Sequence, residues 1–192
     1  AEEYNHPDPE RLKKAIEDTK KFVLLSHDCG GTGVKVRPNR LYDDIPHEKT
    51  IEQIGKALNE VGAFAADHGQ KIRVEVHGRG TSDLPVMNSI FDHVQQSSVG
   101  MCWNCNEQDL EGKGFQDNFN LVKDRLADTV HVREMNIGDY PYQLLMENFV
   151  SMDYNGWILL ECRTEPNDRI AAMKEQRQVW NDMISNAQKK MK

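Results

Sequence analysis

The stretch Lys71-Ile72-Arg73-Val74-Glu75-Val76-His77 alternates strictly, with Ile72, Val74 and Val76 on one face and Arg73, Glu75 and His77 on the other. A period of two is the mark of a β-strand. Val34-Lys35-Val36-Arg37, Val130-His131-Val132-Arg133 and Ile158-Leu159-Leu160-Glu161-Cys162-Arg163 repeat the arrangement, and runs with helical periodicity separate them. Strands separated by helices imply a parallel sheet, whose two faces are normally both apolar. Ionisable side chains recurring on one face are accounted for by a barrel interior near its mouth, where every strand sends one face toward a site.

Outward from this strand the alternation continues. Asp8-Pro9 opens a helix that carries Leu12, Ala15, Ile16, Phe22, Val23 and Leu25 and ends at Gly30-Gly31, with Asp8 as its cap and Pro9 in the first turn. The strand 33–37 follows. From Glu48 to His68, Ile51, Ile54, Leu58, Val61, Phe64 and Ala65 recur at helical spacing, closed by Gly69. Further helices are predicted over 84–95, 118–126, 140–152 and 168–191, and strands over 98–104, 129–134 and 156–162. An open doubly wound sheet should have central strands apolar on both faces, so the polar face favours a (β/α)8 barrel, an α/β fold. A complete barrel takes about 250 residues and eight strands. Residues 1–192 are therefore expected to form a single domain with strands four to eight of the barrel, the N-terminal strands missing because the chain opens inside a helix. Unpaired barrel edges invite a second copy, and a homo-oligomer is expected.

The chain has 24 basic and 31 acidic residues, a net charge of −7, and no basic block, which argues against a nucleic-acid backbone as partner. No apolar run approaches the roughly 20 residues of a membrane span, and no signal peptide is visible. A cytoplasmic location is expected. The first residue is Ala1 rather than Met, which keeps export after removal of a signal peptide as the alternative. Cys102-Trp103-Asn104-Cys105 has the spacing of a redox or zinc half-site, but residues i and i+3 of a strand point to opposite faces and no second pair completes a tetrahedron. Cys29 and Cys162 are expected to be buried free thiols. Trp103, Tyr154 and Trp157 read as packing residues, and Lys189, Lys190 and Lys192 as a solvated helix end.

Four segments together resemble a known family: Gln70-Lys71-Ile72-Arg73-Val74-Glu75-Val76-His77, Val99-Gly100-Met101-Cys102-Trp103-Asn104, Val130-His131-Val132-Arg133, and Tyr154-Asn155-Gly156-Trp157 running on to Glu161. In order and spacing they are similar to the xylose-isomerase-like TIM barrels, the sugar-phosphate isomerases and epimerases that include the ketose 3-epimerases. The resemblance covers nearly the whole chain. It implies a divalent metal (Mn, Mg or Zn) held by a Glu, an Asp, a His and a Glu on the last four strands. Glu75 and Glu161 match, Asn104 stands at the Asp, Glu107 at a further family histidine, and His131 and Arg133 stand where members often carry two histidines. A metal would take Glu75, Glu161, His131 and Asn104. Since a guanidinium cannot ligate a cation and Asn104 brings no charge, weak or absent metal affinity is expected.

Isomerisation or epimerisation of a sugar begins by removing a proton next to a carbonyl, which needs a base, an acid and positive charge on the developing enediolate. Glu75 and Glu161 are the expected catalytic pair, with Arg133 as the fixed charge and Arg73, Arg37 or Lys35 in support. Arg37, His77, Asn104, Asn106, His131 and Arg163 are the expected contacts of a small sugar substrate, and the Gly78-Arg79-Gly80-Thr81 turn sits where barrel loops bind phosphate or hydroxyl groups. Each residue also has a structural reading. An inward glutamate facing Arg133 can be a buried ion pair, His77 and His131 can be satisfied core histidines, and Asn106 can close a turn. The expected function is a carbohydrate isomerase or epimerase. The alternatives are a lyase or hydrolase acting on oxidised sugars and a catalytically inactive sugar-binding relative; the endonuclease branch would need a multi-zinc ligand set that the sequence lacks.

Overall fold

The computed structural model describes residues 3–191, so Ala1, Glu2 and Lys192 lie outside it. The chain divides between Thr129 and Val130 into two compact units. The first contains α1 (Pro9–Asp28), β1 (Gly33–Val36), β2 (Asn39–Arg40), α2 (His47–Asp67), β3 (Lys71–Glu75), β4 (Gly78–Arg79), α3 (Leu84–Asp92), β5 (Val99–Cys102) and α4 (Phe115–Val122). Strands β1, β3 and β5 form a parallel sheet in that order, with Lys35 opposite Arg73 and Glu75 opposite Cys102. Crossover helices bury its apolar face. Ile54, Leu58 and Val61 of α2 are fully buried, as are Ile72 and Val74 of β3 and Met101 of β5.

Asp8 caps α1 as expected, its carboxylate accepting from the Glu10 N–H at 2.9 Å. The buried stripe of α1 is Ala15, Ile16, Thr19 and Val23, whereas Phe22 and Leu25 are exposed. These two fall off the i, i+4, i+8 row that faces the sheet. The described chain does not open in a helix. Glu3 forms a parallel bridge to Arg37, and Gln53 donates to the Tyr4 carbonyl at 2.7 Å. A second departure is the small parallel ladder of β2 and β4, just beyond the ends of β1 and β3. It requires Gly78, which has φ +105° and so little room that a Cβ would lie 1.5 Å from the Asn39 carbonyl oxygen.

The second unit contains β6 (Thr129–Val132), α5 (Tyr142–Ser151), β7 (Trp157–Leu160) and α6 (Arg169–Lys190). β6 and β7 pair, and the ladder continues past β7 where the Glu161 N–H donates to the Val132 carbonyl at 2.8 Å. Val130, Val132, Leu145, Met146 and Phe149 form its core. Asp168 caps α6 through the Ala171 N–H at 2.9 Å. Gln176 is drawn inward, its Oε1 accepting from the Met135 N–H at 2.9 Å.

The cysteines reverse one expectation. Cys29 and Cys162 are exposed, and Cys102 and Cys105 are the buried thiols. Cys29 sits at the C-cap of α1, and Cys162 follows β7, a strand largely open to solvent. Trp103 packs edge-on against Phe115, with ring centroids 5.8 Å apart, and Tyr154 stacks on Phe149 at 4.9 Å. Trp157 does not pack in this way, being 71% exposed.

Candidate functional site

The inward face of β3 is layered. Arg73 donates through Nε to Asp128 Oδ1 at 2.7 Å and through Nη2 to Thr32 Oγ1 at 2.7 Å, so it is committed to structure rather than to a site. Its guanidinium holds the Asp128 carboxyl below the usual range. One layer up, Glu75 is 3% exposed and its Oε2 lies 2.6 Å from the Lys35 ammonium on the neighbouring strand. Two residues further, His77 begins the turn into β4, and its carbonyl accepts from Thr81 Oγ1 at 2.6 Å.

At the end of β5, Asn104 and Asn106 are both buried and both donate through Nδ2 to the Val76 carbonyl, at 3.3 and 2.7 Å. Asn106 also builds a capping box with Asp109, which favours its turn-closing role. The anchored amide of Asn104 fixes its Oδ1 on the opposite side. Cys102 below takes no part in such chemistry, since burial pushes its thiol up to about 12. The turn after β3 is also structural, because Arg79 pairs with Asp43 at 2.8 Å in the open.

In the second unit, His131 on β6 and Glu161 after β7 bring ligand atoms within 4.8 Å of each other. The exposed Arg163 lies 3.6 Å from Glu161. A residue not anticipated from the sequence orders this segment. The buried Glu134 carboxylate accepts from the N–H groups of Arg163 and Thr164 at 3.0 and 2.8 Å and from Thr164 Oγ1 at 2.6 Å. Burial works to raise its carboxyl, but the donors win and hold it below the usual range. Its only sequence signal is an acid ending the apolar face of Val130 and Val132.

Buried side-chain atoms with no hydrogen-bond partner among the described residues include Arg37 Nε, His77 Nδ1, Asn104 Oδ1, Arg133 Nε and Glu161 Oε2. Each belongs to a residue one or two positions past the end of β1, β3, β5, β6 or β7. Buried polar groups are normally satisfied, and exceptions concentrated past the strand ends of each unit mark those ends as candidate ligand positions. Each unit offers oxygen and nitrogen donors of the hard to borderline kind that suit a divalent cation: the Glu75 carboxylate and the unsatisfied Asn104 Oδ1 in the first, the His131 imidazole and the Glu161 carboxylate in the second.

Strand–helix alternation with polar residues just past the strand ends is the pattern of an α/β barrel. A family model described as xylose isomerase-like TIM barrel matches residues 3–183, and the chain belongs to that family and has its fold. No curated protein matches the sequence. Solved structures do. L-ribulose 3-epimerase superposes with a TM-score of 0.83 at 13% identity, over 98% of this chain and 73% of its own. The 3-keto-D-glucoside 4-epimerase of E. coli gives 0.75 at 15% identity, over 93% and 74%. D-psicose 3-epimerase of Clostridium cellulolyticum H10, solved with D-tagatose, gives 0.74 at 14%, over 96% and 74%.

Proposed function

We propose that the protein is a carbohydrate isomerase or epimerase that removes a proton next to a sugar carbonyl, with Glu75 and Glu161 as the acid–base pair. The observation that carries this reading is that, in each unit, buried polar atoms past the strand ends have no partner among the described residues, Asn104 Oδ1 in the first and Glu161 Oε2 in the second. Three structural relatives that are epimerases agree with it. Sugar hydroxyls are donors and acceptors at once, and Arg37, His77, Asn104, His131 and Arg163 offer them both kinds of partner.

In this mechanism one glutamate takes the proton from the carbon beside the carbonyl and the other returns one, to the same carbon from the opposite side in an epimerisation or to its neighbour in an isomerisation. The negative charge that develops on the enediolate oxygens is met by Arg133 and Lys35. A divalent ion held by Glu75, His131, Glu161 and Asn104 would, when bound, supply the same polarisation as a Lewis acid.

The test is proton exchange from deuterated solvent into the carbon-bound positions of ketoses, followed by NMR. The parent protein should incorporate deuterium and interconvert a sugar pair, and Glu75→Gln or Glu161→Gln should lower the rate by about a hundredfold or more while sugar binding changes far less. A parent that binds sugars without exchange is an inactive sugar-binding relative. Cleavage without epimerisation assigns the glutamates to a lyase.

A further inference from the structure

Glu75 faces a cation that belongs to the chain itself. Lys35 projects from β1 on the face shared by Arg37, and the parallel register sets it opposite Arg73, two residues below Glu75. From there its ammonium reaches diagonally upward to Glu75 Oε2 at 2.6 Å. The two ends of this pair differ in environment. The Glu75 side chain is 4% exposed and the Lys35 side chain 40%, so the carboxylate is desolvated while the ammonium keeps an open side toward water. Arg73, on the same face, does not compete for the contact because it is engaged by Asp128 and Thr32. Asn104 adds no negative charge that could draw a second cation to Glu75.

We propose that the Lys35 ammonium occupies the cation position on Glu75, so that a divalent ion can use this carboxylate only by displacing it. The inference rests on the reading of Glu75 as a ligand and catalytic residue, and concerns what controls access to it. A metal ion gains most from an anionic oxygen already out of water, and here that oxygen is neutralised by a tethered charge that gives up no translational freedom in reaching it. The chain thus holds a fixed organic cation where an exchangeable metal would otherwise dominate, and its divalent affinity is set by Lys35 as much as by the ligands. The exposed flank of Lys35 gives the displaced ammonium somewhere to go.

The experiment is a manganese titration of the purified full chain, read by calorimetry and by the electron spin resonance of free Mn²⁺, so that neither readout depends on turnover. Lys35→Met keeps the stem and removes the charge, and should bind Mn²⁺ at least tenfold more tightly than the parent. Lys35→Arg retains a cation and should stay within about threefold of it. Lys71→Met, which removes a lysine from the exposed side of Asp128, should change nothing and controls for overall charge. If Lys35→Met does not fold, Lys35→Gln, whose amide can still donate to Glu75, is read by the same criterion. Equal affinity in the parent and the neutral variant overturns the proposal, as does a parent that already binds tightly. Tighter Mn²⁺ binding in a protein that exchanges no sugar proton would uphold this inference while the isomerase reading fails.

Discussion

Arg73 and Asp128 are joined by two hydrogen bonds, Nε to Oδ1 at 2.7 Å and Nη2 to Oδ2 at 3.1 Å, which tie the middle of β3 to the segment leading into β6. Arg73 is 8% exposed, so the pair closes the floor of the polar face with a satisfied charge. Removing Asp128 would strand a guanidinium that has little water to turn to. Asp128→Asn should cost about 2–3 kcal/mol of unfolding free energy at pH 7, measured by urea denaturation. The folded carboxyl sits below its ordinary value, so the contribution is complete above the unfolded value near about 4 and lost as pH falls through the lowered folded one. The gap between parent and variant should therefore close in acid, and a gap independent of pH would contradict the assignment.

Glu134 makes the equivalent commitment in the second unit, where its carboxylate gathers two backbone N–H groups and a hydroxyl from Arg163 and Thr164. Glu134→Ala leaves those donors without their acceptor and should destabilise by about 2–3 kcal/mol. Glu134→Gln keeps one acceptor and should lose about half as much. Hydrogen exchange of the Arg163 and Thr164 amides should quicken in both. Unchanged protection would show that another group orders the segment.

The thiols should separate cleanly. Cys29 and Cys162 are exposed while Cys102 and Cys105 are buried, and burial lifts the Cys102 thiol to about 12, which leaves almost no thiolate at pH 8. A disulfide reagent at that pH should titrate two thiols quickly and the others only after denaturation. Rapid modification of Cys102 in the native protein would contradict its placement.

The sequence by itself determined the order of elements, because strand and helix periods are local properties of apolar spacing. The alternation around Glu75 and His131 placed the five main strands. Among the described residues no helix is long and apolar enough to cross a membrane, in keeping with the same pattern. Periodicity could not tell which charged groups on that face are already spent. Arg73 and Glu75 have the same parity, yet one is locked to Asp128 and the other meets Lys35. That outcome depends on register between strands and on an acid dozens of residues away, and neither is written in local spacing. Burial of Cys102 but not Cys162 has the same origin: Cys102 lies opposite Glu75 in the register of β3 and β5, whereas Cys162 follows a strand largely open to solvent. The ladder of β2 and β4, the Glu134 clamp and the cation on Glu75 were decided by tertiary structure alone, since each is a contact between groups that the chain brings together only on folding.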